Sequence, residues 1–228
     1  MEKTSPKRTR AGRAGLSREQ VLDAALDLID RDGVAALSMR RLGAELGVEA
    51  MTLYHYVPNK DTLLDGVVER VMARAESSLL DGPWDRALTD YARSLRATLL
   101  RHPGAALLVA TRPAVTAETL RAAERGLTLL CGAGFPLGRA LDTLNALTLF
   151  VVAHAASEAG TAAVNATAAP GSQDFVASLD AQQFPLLTAA ARTSAGTDDT
   201  ARFEFAIAAF IRGLTPMTER SPASGPPQ

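Results

Sequence analysis

The sequence is poor in cysteine, in aromatic residues and in net charge. Cys131 is the only cysteine among 228 residues, so no disulfide bond can form within the chain. A single thiol favours a reducing compartment. The formal net charge of -1 by itself neither favours nor excludes a nucleic acid or a membrane as a partner. The N-terminus is basic but lacks an apolar segment behind it, so we expect no signal peptide and a cytoplasmic protein.

Long apolar runs and alternating patterns are also scarce. The longest apolar stretch, around Ala146–Ala156, is interrupted by Thr148 and His154 and is too short to span a bilayer, so no membrane partner is expected. No stretch alternates between apolar and polar residues for long enough to form a strand. Apolar residues recur at helical spacing instead, and we predict an all-α fold with about nine or ten helices.

Local signals predict where helices begin and end. A capping box at Ser17–Gln20 opens the first helix, and Ser38 and Asn59 cap two later ones. Residues 160–173 are rich in Ala, Thr and Gly and are predicted to form a flexible loop. The remaining helices are predicted at about 59–80, 84–101, 105–110, 116–132, 137–158, 179–192 (starting after Asp180 and bent or broken near Pro185) and 200–214.

Residues 38–60 contain two very short helices joined by a tight turn that includes a glycine. Leu42 and Leu46 in the first helix, and Leu53 and Val57 around the second, form apolar pairs at spacing i, i+4. This is the helix-turn-helix pattern, in which the second helix lies in the major groove of DNA. The spacing also fits a small three-helix core that binds no DNA.

The outward residue types in this segment fit DNA contacts. Thr52 can hydrogen-bond a base, and Ala50 and Met51 can contact a thymine methyl group. Arg40 can bind guanine through two hydrogen bonds, and His55 suits either a base or a phosphate. Phosphate contacts are predicted for the helix N-terminus at Ser38 and for Tyr54, Tyr56 and Lys60.

Residues 33–65 resemble the DNA-binding domain of the TetR family of bacterial transcriptional repressors. The family pattern LGVxxxTLYxxVxNKxxLL is met by Leu46-Gly47-Val48, Thr52-Leu53-Tyr54, Val57, Asn59-Lys60 and Leu63-Leu64. Segments 99–113, 129–135 and 202–214 resemble the ligand-binding domain of the tetracycline repressor subgroup. The resemblance implies base-facing positions at Arg40, Ala50, Met51, Thr52 and His55, and phosphate-facing positions at Ser38, Met39, Tyr54 and Lys60.

The resemblance also implies a domain organisation. Residues 1–15 are expected to form a disordered basic arm, 16–62 the helix-turn-helix domain, 63–216 the effector-binding and dimerisation domain, and 217–228 a disordered tail. The apolar character of 144–156 fits a homodimer, and two reading heads require double-stranded operator DNA with near-palindromic half-sites. Ala50 and Met51 differ from the tetracycline repressor pattern, so its operator sequence is not assumed.

The predicted ligand site departs from the tetracycline repressors. Their metal-binding histidine corresponds to Leu108, which cannot ligate a hard cation, so metal–tetracycline is not expected as the effector, and no cofactor is expected. His154 and Glu158 lack an evident third ligand, so no metal site is predicted. A mainly apolar organic effector is expected beside Tyr91, Leu95, Leu108, Leu127, Thr148 and Val152, with polar contacts from Thr111, Arg112, Asn145 or His154.

These features support one main hypothesis about function and two alternatives. The first is a ligand-responsive repressor that a small, largely apolar molecule releases from its operator. The alternatives are a helical ligand-binding dimer without specific DNA binding, and an activator. An enzyme is not expected, because three histidines and one cysteine form no recognisable nucleophile–base pair or metal-ligand set.

Overall fold

The computed structural model describes residues 15–76, 82–112, 115–166, 172–192 and 198–214, and within these ranges the chain is helical with no strand. The predicted all-α class is therefore confirmed. The helices are α1 (Arg18–Asp32), α2 (Met39–Glu45), α3 (Ala50–Leu53), α4 (Lys60–Glu76), α5 (Trp84–Arg101), α6 (Ala106–Thr111), α7 (Ala117–Gly132), α8 (Leu137–Ala166), α9 (Ser172–Ala177), α10 (Pro185–Arg192) and α11 (Asp199–Gly213). Short 3-10 helices lie at Val34–Ala36 and Pro103–Ala105.

The predicted helix caps are present. The Ser17 hydroxyl accepts from the Gln20 N–H at 3.2 Å, and the Gln20 side chain accepts from the Ser17 N–H at 2.8 Å. Ser38 caps α2 by accepting from the Arg41 N–H, and Asn59 accepts from an N–H in the first turn of α4. Each cap satisfies a backbone donor that the helix itself leaves unpaired.

Two predictions in the C-terminal half are wrong. The loop predicted at 160–173 is helical as far as Ala166, and α9 begins at Ser172, with 167–171 outside the described ranges. Ala is the strongest helix former, and each Thr or Gly costs at most about 1 kcal/mol relative to it, so the Ala-rich segment can continue α8. The helix predicted at 179–192 is broken before Pro185, as one of the two predicted possibilities had it, but regular helix does not start after Asp180. It begins at Pro185, because proline fits the first turn of a helix, where its missing N–H is not needed.

Other predicted boundaries differ less. The third helix is regular only over Ala50–Leu53 and continues as turns to Tyr56. Helix α4 is described as far as Glu76, and the remainder of its predicted length lies outside the described ranges. The same holds for residues 1–14 of the predicted arm and for the predicted tail.

The first three helices form a small unit, called the head here and comprising residues 15–57, which packs on the rest of the chain through α4. Helix α1 contacts both α2 and α4, and α4 in turn packs against α5, α6 and α7. Buried residues form one cluster that extends from Val21 in α1 to Ile207 in α11. The head and the remaining helices therefore share one core, with α4 between them.

Ion pairs join α1 to α4. Arg18 of α1 lies 2.7 Å from Glu69, and Asp23 of α1 accepts from Arg70 at 2.7 Å and from Arg74 at 2.9 Å. Hydrogen bonds from Arg70 lower the pKa of Asp23 below its ordinary value, against the opposing effect of desolvation. The carboxylate is therefore held in its charged form, and α1 is fastened along one side of α4.

A second junction joins the end of α1 to the segment between α5 and α6, which contains the 3-10 helix Pro103–Ala105. The Asp30 carboxylate lies 2.7 Å from His102 Nδ1 and accepts from the Gly104 N–H at 3.0 Å. The other ring nitrogen of His102 lies 2.7 Å from Arg74. A Cβ atom at Gly104 would lie 2.7 Å from the Ile29 carbonyl oxygen, so glycine allows this close approach. Sequence reasoning did not identify this junction.

Helix α8 has one buried side and one exposed side. Leu147 and Val151 are buried, whereas Leu141 and Leu149 are exposed. Among the residues that the structure describes, the 137–160 part of this helix is the only stretch that is long and apolar enough to cross a membrane. The core helices of soluble proteins have the same length and composition, so this property alone assigns no membrane location.

Candidate nucleic-acid interface and ligand cavity

The turn between α2 and α3 is compact because of its buried leucines and one glycine. Leu42 and Leu53 are fully buried. Gly43 accepts from the Val48 N–H at 2.8 Å, and a Cβ atom at Gly43 would lie 2.8 Å from the Val48 carbonyl oxygen and 3.2 Å from the Ala50 nitrogen. A larger side chain would meet backbone there, so glycine sets the distance between the two helices.

Several of the residues predicted to contact DNA point outward from this framework. Met51 is 71% exposed, Tyr54 is 43% exposed and His55 is also exposed. Ala50 and Thr52 are half-buried beside them. An apolar side chain as exposed as Met51 gives the head no packing energy, whereas it is well placed to contact another molecule.

The predicted phosphate-facing residues are more varied in their surroundings. Met39 is buried, so only its backbone N–H remains for an outside partner. Lys60 donates to the Leu37 carbonyl oxygen at 2.6 Å and thereby joins the start of α4 to the residue before the α2 cap. Ser38 is exposed, and Tyr56 is half-buried against the core of the head.

Charged side chains next to α2 and α3 are mostly paired. Arg41 binds Asp32 at 2.7 Å, and Arg31 binds Glu45 at 3.0 Å. Arg40 is exposed and takes part in no ion pair within the described ranges. Arg40 is therefore the cation on α2 that is available to an external base or phosphate.

A cavity of about 390 Å³ lies among α4, α5, α6, α7 and α8. Five of the predicted effector-binding residues line it, namely Tyr91, Arg112, Asn145, Thr148 and Val152. The lining residues that sequence reasoning missed are Val68, Met72, Val109, Ala110, Thr119, Ala122, Ala123, Leu141, Leu144 and Leu149. Most of the wall is apolar.

The α8 part of the wall follows a regular stripe. Leu141, Leu144, Thr148 and Val152 recur at spacings of three and four residues, which places them on one side of the helix. The small residues of α7 leave room opposite this stripe. Both signals are present in the sequence, although neither shows which helices face each other.

Tyr91 and Thr148 form the polar pair of the cavity wall. Their hydroxyl oxygens lie 3.2 Å apart, and the Tyr91 side chain is buried. Burial raises the pKa of Tyr91 above its ordinary value, so the phenol remains protonated and retains a proton to donate. A ligand with a carbonyl or hydroxyl group could exchange hydrogen bonds with this pair.

Five predicted effector-binding residues do not line the cavity. Leu95 and Leu108 are buried in the surrounding core, and the half-buried Leu127 also packs against it. Thr111 is exposed and donates to the Leu107 carbonyl oxygen. Each of these positions lies within one turn of a lining residue on its own helix, so both the rotation of the helix and the position along it decide which side chains reach the space.

His154 lies on the other side of α8, against α11. Its ring meets the Phe203 ring edge-on, with centroids 5.2 Å apart, and neither ring nitrogen has a hydrogen-bond partner among the described residues. Glu158 lies 3.8 Å away but binds Arg96 through both oxygens. No group of three or more metal-ligating side chains is present in the described part of the chain.

Sequence comparisons match the two parts of this architecture separately. Residues 21–67 match the family described as bacterial regulatory proteins, tetR family. Residues 78–218 match the family described as tetracyclin repressor-like, C-terminal domain. The first match contains the helix-turn-helix, and the second contains most of the cavity wall.

Two curated relatives illustrate the range of the similarity. Tetracycline repressor protein class E from Escherichia coli is 32% identical over 206 residues, covering 89% of this chain and 92% of the relative. The HTH-type transcriptional repressor DrrR1 from Streptomyces coeruleorubidus is 34% identical over 157 residues. That match covers 68% of this chain but 58% of DrrR1, so the chain spans less than two thirds of that relative.

Solved structures show the same fold. ActR from Streptomyces coelicolor without ligand superposes with a TM-score of 0.73 at 31% identity, covering 88% of this chain and 95% of ActR. ActR in complex with actinorhodin gives a TM-score of 0.70, also at 31% identity, covering 88% of this chain and 97% of that structure. The helix-turn-helix, the helical cavity and these matches together show that the chain belongs to the tetR family of bacterial regulatory proteins, with a tetracycline repressor-like C-terminal domain.

Proposed function

We propose that the protein is a ligand-responsive transcriptional repressor that binds operator DNA through α2 and α3 and is released by a small, mainly apolar organic molecule. The observation that carries this proposal is the outward face of α3, where Met51 is 71% exposed although it is apolar. Packing within the chain does not account for such a side chain. The major groove does, because thymine methyl groups offer an apolar target beside hydrogen-bonding base edges.

The DNA contacts divide by chemistry. We assign Arg40, Ala50, Met51, Thr52 and His55 to base edges, and Ser38, Met39, Tyr54, Tyr56 and Lys60 to phosphates. For Met39 the donor is its backbone N–H at the start of α2, because its side chain is buried. Lys60 reaches a phosphate only by sharing or leaving its bond to Leu37.

Two copies of the chain would supply two reading heads. The exposed leucines of α8 support a homodimer, because an apolar face of this kind is normally covered by another subunit. A two-fold dimer reads a near-palindromic operator with half-sites about 34–36 Å apart. We place residues 16–62 in the DNA-binding domain and 63–216 in the effector-binding and dimerisation domain of a cytoplasmic protein.

The effector would occupy the cavity among α4 to α8. Its volume of about 390 Å³ is within the range of small-molecule sites, about 300–1,000 Å³. The relative ActR has been crystallised with actinorhodin, which supports an organic ligand for this chain as well. Leu108, buried near the cavity, offers no ligand to a metal ion, so the proposed effector binds without a metal and the chain acts by binding alone.

The test begins with an operator that the wild-type protein itself selects from random duplex DNA. Affinity for that operator is then measured by fluorescence anisotropy for a variant carrying Arg40→Ala, Thr52→Ala and Tyr54→Ala. Since each well-formed base contact contributes about 1–3 kcal/mol, the affinity is expected to fall at least roughly 100-fold. Thermal unfolding should change little, because these residues are not part of the buried core.

Arg86→Ala serves as the matched control, because Arg86 lies on α5 and is largely exposed. Its operator affinity should equal that of the wild type. Selection of no DNA sequence, or tight operator binding by the triple variant, would contradict the proposal. Raised transcription from the operator on adding the protein would show an activator instead.

A further inference from the structure

We infer that the effector carries an acidic group, such as a carboxylate, and that Arg112 binds it by giving up its bond to Asp65. This inference rests on the proposed function, since it names the chemical class of the ligand and the residue that reports its presence. Arg112 follows the last residue of α6 and lines the cavity. Asp65 lies in α4, five residues after its first residue, Lys60.

Charge within the cavity favours an acid. Among the described residues that line it, Arg112 is the only charged side chain, and the other polar groups belong to Tyr91, Thr119, Asn145 and Thr148. None of the described lining residues carries a carboxylate, so a cationic ligand would find no opposite charge in the wall itself, although Asp65 lies behind it against Arg112. A guanidinium group presents paired donors that match the two oxygens of a carboxylate.

Arg112 is restrained by α4 in the structure described here. Its Nε donates to Asp65 Oδ1 at 2.8 Å, and its Nη2 donates to the Asp61 carbonyl oxygen at 3.2 Å. The Arg112 side chain is 23% exposed and the Asp65 side chain is 21% exposed, so the pair is largely shielded from water. A ligand carboxylate in the cavity would therefore compete with Asp65 for the same guanidinium group.

The competition has a consequence at the head. If the ligand takes the guanidinium group, Asp65 is left with an unpaired charge in a mostly buried position, which is strongly unfavourable. Movement of the first turns of α4 towards solvent removes that penalty. Because Lys60 bonds to Leu37 in the head, movement of this part of α4 also displaces α2 and α3. The acid thus favours an arrangement of the head different from the one favoured by the Arg112–Asp65 pair.

The test uses two probes of the same shape and different charge, naphthalene-2-carboxylate and naphthalene-2-carboxamide. Dissociation constants are measured at pH 7.5 by fluorescence for the wild type, Arg112→Gln and Asp65→Asn. Arg86→Gln on exposed α5 is the control for the loss of an arginine elsewhere. The wild type and the control are expected to bind the carboxylate at least about tenfold more tightly than the amide, since hydrogen bonds to charged groups are the stronger ones.

The two cavity variants are expected to change in opposite directions. Arg112→Gln should lose the preference for the carboxylate. Asp65→Asn should bind the carboxylate about three- to tenfold more tightly than the wild type, because the shielded competing charge is gone and the remaining carboxylate near Arg112, that of Asp61 at 3.5 Å, is exposed to solvent. A purely structural role for the ion pair predicts the opposite sign for Asp65→Asn, since loosening the cavity would weaken binding of both probes.

Three results would overturn the inference. The first is that the wild type binds the two probes equally or binds neither. The second is a carboxylate preference that survives in Arg112→Gln. The third is weaker carboxylate binding by Asp65→Asn than by the wild type. Operator binding by the wild type without any probe is measured in parallel. It tests the proposed function independently, so failure of the acid inference can be distinguished from failure of the repressor proposal.

Discussion

In the head, the outward side chains predicted to contact DNA come from residues 38–57 and stand on a framework of buried residues from α1, α2 and α3. In the cavity, the wall is drawn from residues 68–152 on five helices. The outward residues of the head can be changed while Leu42 and Leu53 keep the fold. The cavity residues are themselves part of the helix packing, so a change there affects binding and stability together.

The largest effect is expected from a substitution that disturbs the buried framework of the head and leaves the cavity unchanged. Gly43→Ala places a Cβ atom 2.8 Å from the Val48 carbonyl oxygen and 3.2 Å from the Ala50 nitrogen, and backbone cannot turn aside as a side chain can. We expect the free energy of unfolding to fall by about 3 kcal/mol, the upper part of the usual range for overpacking. Displacement of α3 also removes base contacts of about 1–3 kcal/mol each, so operator binding measured by fluorescence anisotropy should weaken roughly a hundredfold.

Gly132→Ala is the matched control, because a Cβ atom at the end of α7 meets no other atom within 4 Å. Binding of a naphthalene probe in the cavity should be unchanged in both variants. Operator binding that is unaffected by Gly43→Ala would show that the spacing of α2 and α3 tolerates a larger residue, and that the framework is less rigid than described.

A smaller effect is expected when the contact between α1 and the segment that precedes α6 is removed. Asp30→Ala removes the acceptor of both the His102 ring and the Gly104 N–H. Leaving such groups unpaired costs about 1–3 kcal/mol. We expect a free energy of unfolding lower by about 2 kcal/mol in urea titrations followed by circular dichroism.

Asp27→Ala on the same helix is the control, because Asp27 is exposed. It should leave the free energy of unfolding within about 0.5 kcal/mol of the wild-type value. If Asp30→Ala is no more destabilising than Asp27→Ala, the junction adds nothing to the shared core of head and cavity.

The smallest effect concerns pH and the far side of the cavity wall. Burial is the main cause that lowers the pKa of His154 in the folded protein, ahead of the opposing charge of Glu158. The unfolded chain takes up the proton below its ordinary pKa of about 6.5, whereas the folded protein resists it. The unfolded state then binds more protons, so stability falls as the pH decreases below about 6.5.

His154→Leu should remove this dependence. Between pH 7.5 and 5.5 the wild type is expected to lose about 1 kcal/mol more stability than the variant, since one pH unit corresponds to about 1.4 kcal/mol for one fully shifted group. Urea titrations at the two pH values measure the difference. An identical loss in both proteins would show that His154 accepts its proton in the folded state.

How much could be predicted from the sequence depends on the range of the interaction. The caps at Ser17, Ser38 and Asn59 involve residues three apart, and all three were predicted. The junction of Asp30 with His102 joins residues 72 apart, and no pattern along the chain indicates it. The family resemblance located the helix-turn-helix, because the head is formed by one continuous segment.

The cavity could be predicted only in part for the same reason. Tyr91 and Thr148, which were predicted to bind the effector, line the cavity, whereas Leu95 and Leu108 are buried in the core around it. Their positions depend on how α5, α6 and α8 are rotated against each other. The wrong loop at 160–173 has a local cause, since Ala and Thr allow both loop and helix, and weak propensities did not decide between them.

The ion pairs between α1 and α4 have a consequence for counting phosphates. Arg18–Glu69 and the two arginine bonds of Asp23 are partly open to solvent, so salt weakens them as well as any contact to DNA. These pairs are present in the free protein and none of them needs to break on DNA, so their response to salt cancels from the slope of operator affinity against salt concentration. The number of released counterions obtained from that slope then counts phosphates neutralised by cations outside these pairs, such as Arg40.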